Sequence, residues 1–325
     1  MDWAVFAASA LAVVVAGSLL ARFADAVSTA TGIGALWFGA VVVALVTSLP
    51  ELVTDISAVR QGNANLALGD LFGSSMSNMA ILAFVTLAFS SRRLLQRVAL
   101  ENVLTGSLAM AVTTMALLFM LVNPSAGVDH VGIGPLAVFA AYLVGTVAIR
   151  ERQTHAPSEE REFAGEIPLK PAVIGFVATA LMILVSGPFL ADSSAAIAAD
   201  TGLGTTFFGT VFVALVTSLP ELTVSISAMR LGALNLVLGN LMGSNATNMA
   251  ILFPLDLLYR EGRLLSAADA ALPVAGLVAI LLMTIGVAAI VLKSERQRMP
   301  FDTAAALMLV CYALGLVAVY DATRG

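Results

Sequence analysis

The chain has 325 residues, of which 59% are hydrophobic and only 11% charged, with 16 Lys and Arg against 21 Asp and Glu for a net charge of −5. So few charges exclude an ordinary soluble fold of this length and point to an integral membrane protein. No basic run suggests nucleic acid, and with one cysteine, Cys311, no disulfide can form within the chain. His130 and His155 fall in predicted loops without metal-ligand partners at the spacing zinc requires, so both read as surface residues.

Taken in order, apolar stretches able to cross about 30 Å of hydrocarbon fall at residues 3–21, 34–59, 64–90, 99–122, 131–149, 171–190, 204–229, 234–259, 267–292 and 302–320. The first has only Met1 and Asp2 before it, without a basic leader, and reads as a retained span rather than a signal peptide. The alternation of a membrane barrel is missing, and backbone groups in lipid must be satisfied within each segment, so about ten helices are expected. The one long polar stretch, residues 150–170 (RERQTHAPSEEREFAGEIPLK), reads as a solvated linker between two units, 1–149 and 171–325, of five spans each. Because five is odd, the second unit enters the membrane from the opposite side, giving an inverted repeat. With the N-terminus outside, about twelve Lys and Arg fall on inner loops and four on outer ones, a positive-inside bias that puts both termini outside and the linker in the cytoplasm.

Residues 31–82 and 201–252 are two copies of one text, offset by 170 without a gap and identical at about 33 of 52 positions. Both copies are apolar, yet both carry polar residues and helix breakers: Thr47, Ser48, Pro50, Glu51, Gly69, Gly73, Ser74 and Asn78 in one, and Thr217, Ser218, Pro220, Glu221, Gly239, Gly243, Ser244 and Asn248 in the other. Pro50 lacks an N–H, so a break is expected there, freeing carbonyls from Ala44 to Val46 and starting a new half-helix whose positive end favours Glu51. The third span is expected to do the same around Gly69 and Gly73, with Ser74 and Asn78 on one face. Taken singly, a membrane proline reads as a kink, paired glycines as packing, and hydroxyls as bonded back to their helix. An intramembrane carboxylate reads as functional, and here it recurs with its whole surroundings. The pooled donors are hard oxygens without His or Cys, which suits Ca²⁺ or Na⁺ and not zinc or copper. Two glutamates supply −2, matched by one Ca²⁺ or several Na⁺.

The doubled T-S-L-P-E, followed by G-[ND]-x-x-G-S-[NS]-x-x-N, resembles the alpha-repeats of the sodium/calcium exchanger family, within the cation/Ca²⁺ antiporters. The resemblance implies an all-α membrane protein of ten helices in two inverted five-helix repeats, working as a Na⁺/Ca²⁺ antiporter. It assigns Ca²⁺ and Na⁺ binding to Glu51 and Glu221, and oxygens largely for Na⁺ to Thr47, Ser48, Thr217 and Ser218. It gives carbonyls to Ala44 and Ala214, and further donors to Ser74, Asn78, Ser244 and Asn248. Many relatives carry an aspartate at one of the positions of Asn78 and Asn248; both are Asn here, which leaves K⁺ or H⁺ involvement open. Asp70 stands where the family usually has Asn, and either caps a half-helix or adds a carboxylate to the ion path. Asp55, one turn past Glu51, either flanks that path or makes a polar contact between helices.

The expected activity is alternating-access exchange, with H⁺/Ca²⁺ or K⁺-dependent exchange as the alternative. A passive channel suits two halves around one site less well. An intramembrane enzyme lacks a nucleophile–base pair beside the glutamates. The expected partners are the transported ions and the lipid bilayer of the cell membrane, with no cofactor and a functional monomer.

Overall fold

The computed structural model describes residues 2–32, 37–89, 101–122, 126–153, 167–199, 205–296 and 301–324. His155 and the middle of the expected linker lie outside them. The described chain is almost wholly helical, in the order α1 (Asp2–Thr31), the bent pair α2a (Phe38–Thr47) and α2b (Leu49–Arg60), α3 (Ala64–Ala88), α4 (Glu101–Val122) and α5 (Ile133–Gln153). There follow α6 (Leu169–Ala199), the bent pair α7a (Thr206–Thr217) and α7b (Leu219–Arg230), α8 (Leu234–Leu258), α9 (Leu272–Arg296) and α10 (Phe301–Ala322). A two-residue antiparallel hairpin, β1 (Gly127–Val128) and β2 (Val131–Gly132), joins α4 to α5.

Among the described residues, seven single helices are long and apolar enough to cross a membrane, and nine spans qualify when each bent pair counts as one. The expected span at 234–259 is present as α8 but is not apolar enough, because Asn235, Asn240, Asn245, Asn248 and Asp256 lie along it. It need not meet lipid: α3 and α8 are buried along most of their length at the centre of the molecule. The helices around them turn Leu11, Leu121, Val144 and Leu314 outward, a lipid-facing surface. Two expected ends were too short. α1 runs on through Arg22 to Thr31, and α6 reaches Ala199, because both lie against each other along most of their length and so keep helical order past the apolar run.

The copies repeat in structure as in sequence. α2b and α7b begin 170 residues apart, as do α3 and α8. The expected break in the third span is not there: α3 and α8 are single 25-residue helices, and only the second and seventh spans are broken, by 45° and 41°. The glycines serve a crossing instead. α3 packs on α7a of the other copy, and α8 packs on α2a. A methyl group added at Gly73 would overlap the backbone of Thr210, and one at Gly243 the backbone of Ala40. The two copies therefore touch main chain to main chain at their centres. α1 and α6 lie over the broken spans, with Gly187 of α6 against Pro50.

At one end of the bundle Asp256 accepts hydrogen bonds from the backbone N–H of Gly132 and of Leu264, both at 2.7 Å. In the hairpin turn, His130 Nδ1 lies 3.0 Å from Asp129 Oδ2 and Nε2 lies 3.2 Å from the Leu257 carbonyl. The Asp129 carboxylate first, and then that carbonyl, hold the imidazole above its ordinary pKa of 6.5. No metal-binding group of His, Cys, Asp or Glu forms around it among the described residues.

Two outcomes follow. Ala at a helical position is ordinarily favoured over Gly by about 1 kcal/mol, but Gly73→Ala and Gly243→Ala should each destabilise by about 1–3 kcal/mol or more through backbone overlap, read as a lower melting temperature. Because folding raises the His130 pKa, its contribution is fully present below the unfolded value and fades as pH rises through the folded one. His130→Gln should therefore lower the melting temperature slightly at about pH 5.5 and not at about pH 8.5.

Candidate ion-binding site

The site is built from the two breaks. In each copy a wide π-helical turn, Phe38–Val43 or Gly209–Val213, leads into one α-turn, Ala44–Thr47 or Ala214–Thr217. Ser48 then leaves helical geometry (φ −85°, ψ 7°), as does Ser218 (φ −80°, ψ 6°). The helix restarts at Leu49 and Leu219 with the proline at its start, where a missing N–H is harmless. Glu51 and Glu221 stand in the first turn of the new helices, as expected, where unpaired N–H groups and the helix dipole favour an anion. One expectation fails here. The Ala44 carbonyl is not freed, since Ser48 N–H bonds to it at 3.0 Å, and the Ala214 carbonyl receives Ser218 N–H at 3.1 Å. Proline takes away the usual partner four residues back, at Val46 and Val216, yet a backbone N–H at each helix end still bonds these carbonyls.

Around each glutamate the helices of both copies converge. Ser74 donates to Glu51 Oε1 at 3.4 Å, and Ser244 to Glu221 Oε1 at 3.3 Å. Each glutamate also meets a hydroxyl from the other copy, Glu51 that of Thr217 and Glu221 that of Thr47. Thr217 Oγ1 lies 3.1 Å from Asp70 Oδ1 and 3.4 Å from Ser74 Oγ. Its counterpart Thr47 Oγ1 lies 3.2 Å from Asn240 Oδ1 and 3.3 Å from Ser244 Oγ. Both threonines also approach the carbonyls of Ala44 and Ala214, at 3.2 Å and 3.3 Å respectively. Glu51 stands within electrostatic reach of Glu221 and Asp70. The two glutamates therefore belong to one interior cluster, and both are fully buried.

The remaining expected residues lie on the same helices but outside this hydrogen-bonded set. Ser48, Ser218 and Asn248 are buried with side-chain oxygens that no protein group satisfies, as are Glu51 Oε2, Glu221 Oε2 and Asn78 Oδ1. The Asn78 amide donates to Asn245 Oδ1 at 2.9 Å, across the two copies. Asp70 does not cap a half-helix, because α3 is unbroken; it joins the cluster through Ser74 Oγ, 3.3 Å away, and Thr217. Asp55 is buried, with neither carboxylate oxygen bonded to a donor. Sequence reading missed Asn240 and Asn245. Asn240 was visible as the counterpart of Asp70, whereas Asn245 pairs with Ser75 in the repeat and gave no symmetric signal.

A buried set of oxygens without protein donors fits a hard cation. Neutral donors cannot fill such a site without burying their own unmet polarity, and a spherical cation can accept several oxygens at once. Among the described residues no three His, Cys, Asp or Glu side chains form a metal-binding group by themselves. The donors are Glu51, Glu221 and the adjoining Asp70 among hydroxyls, amides and carbonyls.

The profile of the sodium/calcium exchanger protein family matches residues 1–148 and 171–320. The chain belongs to this family. The family is one of transporters, and the chain is an integral membrane protein. Relatives of the chain include a putative antiporter, CaxA, of Alkalimonas amylolytica, 26% identical over 81% of this chain and 83% of that one. The inner membrane protein YrbG of Escherichia coli (strain K12) is 26% identical over 72% of each. The sodium/calcium exchanger MaX1 of Methanosarcina acetivorans is 36% identical over 87 residues, 27% of this chain and 25% of that one. The fold is that of the solved sodium-calcium exchanger NCX_Mj, with a TM-score of 0.70 at 18% identity, covering 97% of this chain and 98% of that one.

The Asn78–Asn245 pair is open to a direct check. Asn245→Ala leaves the buried Asn78 amide without its acceptor, and should lower stability by about 1–3 kcal/mol, measured as a fall in melting temperature without added Na⁺ or Ca²⁺.

Proposed function

We propose that this exchanger is a secondary active antiporter that trades Na⁺ for Ca²⁺ across the membrane by alternating access. The observation that carries the reading is the meeting of Glu51 and Glu221 in one buried cluster, each at the start of a half-helix and each beside hydroxyls from both copies. Two buried like charges in a membrane protein are unfavourable by about 2.5–3.5 kcal/mol or more apiece. One Ca²⁺ cancels both, and Na⁺ ions at the same oxygens do so separately. An empty, charged centre resists crossing between its two facing states, and that resistance is what obliges exchange rather than leak. Asn at both 78 and 248 brings no acid to those positions, and Asp70, bonded through Ser74 and Thr217, is the third carboxylate of the cluster.

In this reading Glu51 and Glu221 bind Ca²⁺ and Na⁺ alike. Thr47, Ser48, Thr217 and Ser218 add hydroxyls; Ala44 and Ala214 lend their carbonyls; Ser74, Asn78, Ser244 and Asn248 complete the set from α3 and α8. Na⁺ as the counter-ion rests on the family's description and on the name of the Methanosarcina acetivorans relative. The halves, 1–149 and 171–325, are inverted repeats around a cytoplasmic linker at 150–170. Both termini face outside in the cell membrane, one chain suffices, and no cofactor takes part. Rocking of the outer helices about the fixed centre opens it to each side in turn.

Purified protein in Na⁺-loaded vesicles should take up radiolabelled Ca²⁺ in proportion to the outward Na⁺ gradient. Glu51→Gln and Glu221→Gln should each abolish uptake while eluting as folded protein. Uptake driven by a pH gradient and blind to Na⁺ would replace this reading by H⁺/Ca²⁺ exchange, and uptake that requires K⁺ would replace it by K⁺-dependent exchange. Transport retained in both variants would reject the ligands.

A further inference from the structure

The two copies match closely around the glutamates, yet they differ one turn to one side of them. In the first copy Asp55 follows Glu51 on α2b, and Asp70 precedes Ser74 on α3. The equivalent residues in the second are Ser225 on α7b and Asn240 on α8. All four are buried. Asp55 and Asp70 lie on the side of the 61–63 connection between α2b and α3, while Ser225 and Asn240 lie toward the 231–233 connection between α7b and α8. An inverted repeat would otherwise offer an ion the same surroundings on leaving to either side. Here one direction is lined by acids and the other by neutral groups.

The acids are not explained by packing. The carboxyls of Asp55 and Asp70 face each other closely enough to hydrogen-bond, a contact that holds only while one of them keeps its proton. Both oxygens of Asp55, and Oδ2 of Asp70, have no other donor, though both residues are at most 1% exposed. Once that proton leaves, the contact has no donor, and a cation must take the proton's place. The fold does not demand acids there, since Ser225 and Asn240 occupy the same places in the other copy. Asp70 Oδ1 is tied to Thr217 and Ser74, so the pair adjoins the central cluster. When both are ionised, three uncommitted carboxylate oxygens, buried and mutually repelling, are left for a cation between them to balance.

We propose that Asp55 and Asp70 form a second binding position for Ca²⁺, beside the central one and on the 61–63 side alone, so that the exchanger captures Ca²⁺ at lower concentration from that side than from the other. This rests on the Na⁺/Ca²⁺ reading of the central site. An ion entering from the 61–63 side is held first by two carboxylates and then passed to Glu51, one turn away on α2b. From the opposite side it meets only Ser225 and Asn240 before Glu221. With the N-terminus outside, the acidic side is the outer one.

Inside-out and right-side-out membrane vesicles test this by giving Ca²⁺ half-saturation for each face. The wild-type protein should saturate at lower Ca²⁺ from the 61–63 face. The double variant Asp55→Ser, Asp70→Asn, which installs the other copy's residues, should raise half-saturation on that face by about tenfold or more and remove the difference between faces. Should that variant not fold, the reverse exchange Ser225→Asp, Asn240→Asp provides the second arm, and should lower half-saturation from the 231–233 face. Wild-type half-saturation on both faces in a folded double variant overturns the second position while leaving Na⁺/Ca²⁺ exchange in place. The same holds if the double variant abolishes a pH dependence of uptake with Ca²⁺ half-saturation unchanged, for the pair then holds a proton. Absence of Ca²⁺ uptake in the wild type overturns the central reading itself.

Discussion

Two carboxylates buried at the middle of an apolar bundle set the terms for everything around them. Removing a carboxylate from water costs several kcal/mol even after relaxation, and Glu51 and Glu221 have no cationic side chain among the groups that bond to them. The structure answers with partial charges instead. Each glutamate stands in the first turn of a helix, where N–H groups lack carbonyl partners, and each takes a hydroxyl from its own copy and one from the other. Partial charges reduce the penalty without cancelling it, and the balance is left for mobile cations. A fixed Lys or Arg would neutralise the centre permanently and leave nothing to carry.

That arrangement requires two broken helices to come together, and the continuous helices α3 and α8 make it possible. Their glycines let the main chain of the opposite copy's π-turn lie directly on them, which brings Thr217 to Ser74 and Thr47 to Ser244. Broken and unbroken spans divide the work. The breaks supply helix starts; the unbroken rods supply a rigid surface against which those starts are held. The π-turns, with one extra residue per turn, sit where the two copies cross, a common position for such turns at functional sites.

Symmetry near the glutamates and asymmetry beside them serve different ends. Pairs such as Thr47 and Thr217, or Ser74 and Ser244, keep the centre equally suited to ions arriving from either direction. The Asp55–Asp70 pair, set against Ser225 and Asn240, breaks that equality. A transporter built from a duplicated unit acquires a preferred side only through such local departures, because its backbone offers the same path twice.

Much of this was written in the chain. The offset of 170 exposed the duplication, proline fixed where the second and seventh spans break, and carboxylates in apolar text marked the centre, since each of these is a local or pairwise property of sequence. Local pattern also misled where packing ruled. Gly69 and Gly73 read as a break in α3 because a glycine's flexibility and its small size look alike in sequence, and only the neighbouring backbone of Thr210 shows that size is what matters. The Ala44 carbonyl was expected free, but Ser48 N–H bonds to it, and the Val46 carbonyl that Pro50 cannot serve takes another backbone N–H at the helix end. Asp55 and Asp70 are 15 residues apart, and nothing in their spacing says that they face each other. Contacts such as Asn78 to Asn245, and the convergence of Glu51 with Glu221, join residues 167 and 170 positions apart; they exist only once the helices have chosen their neighbours, a choice made by the summed packing of whole surfaces rather than by any motif.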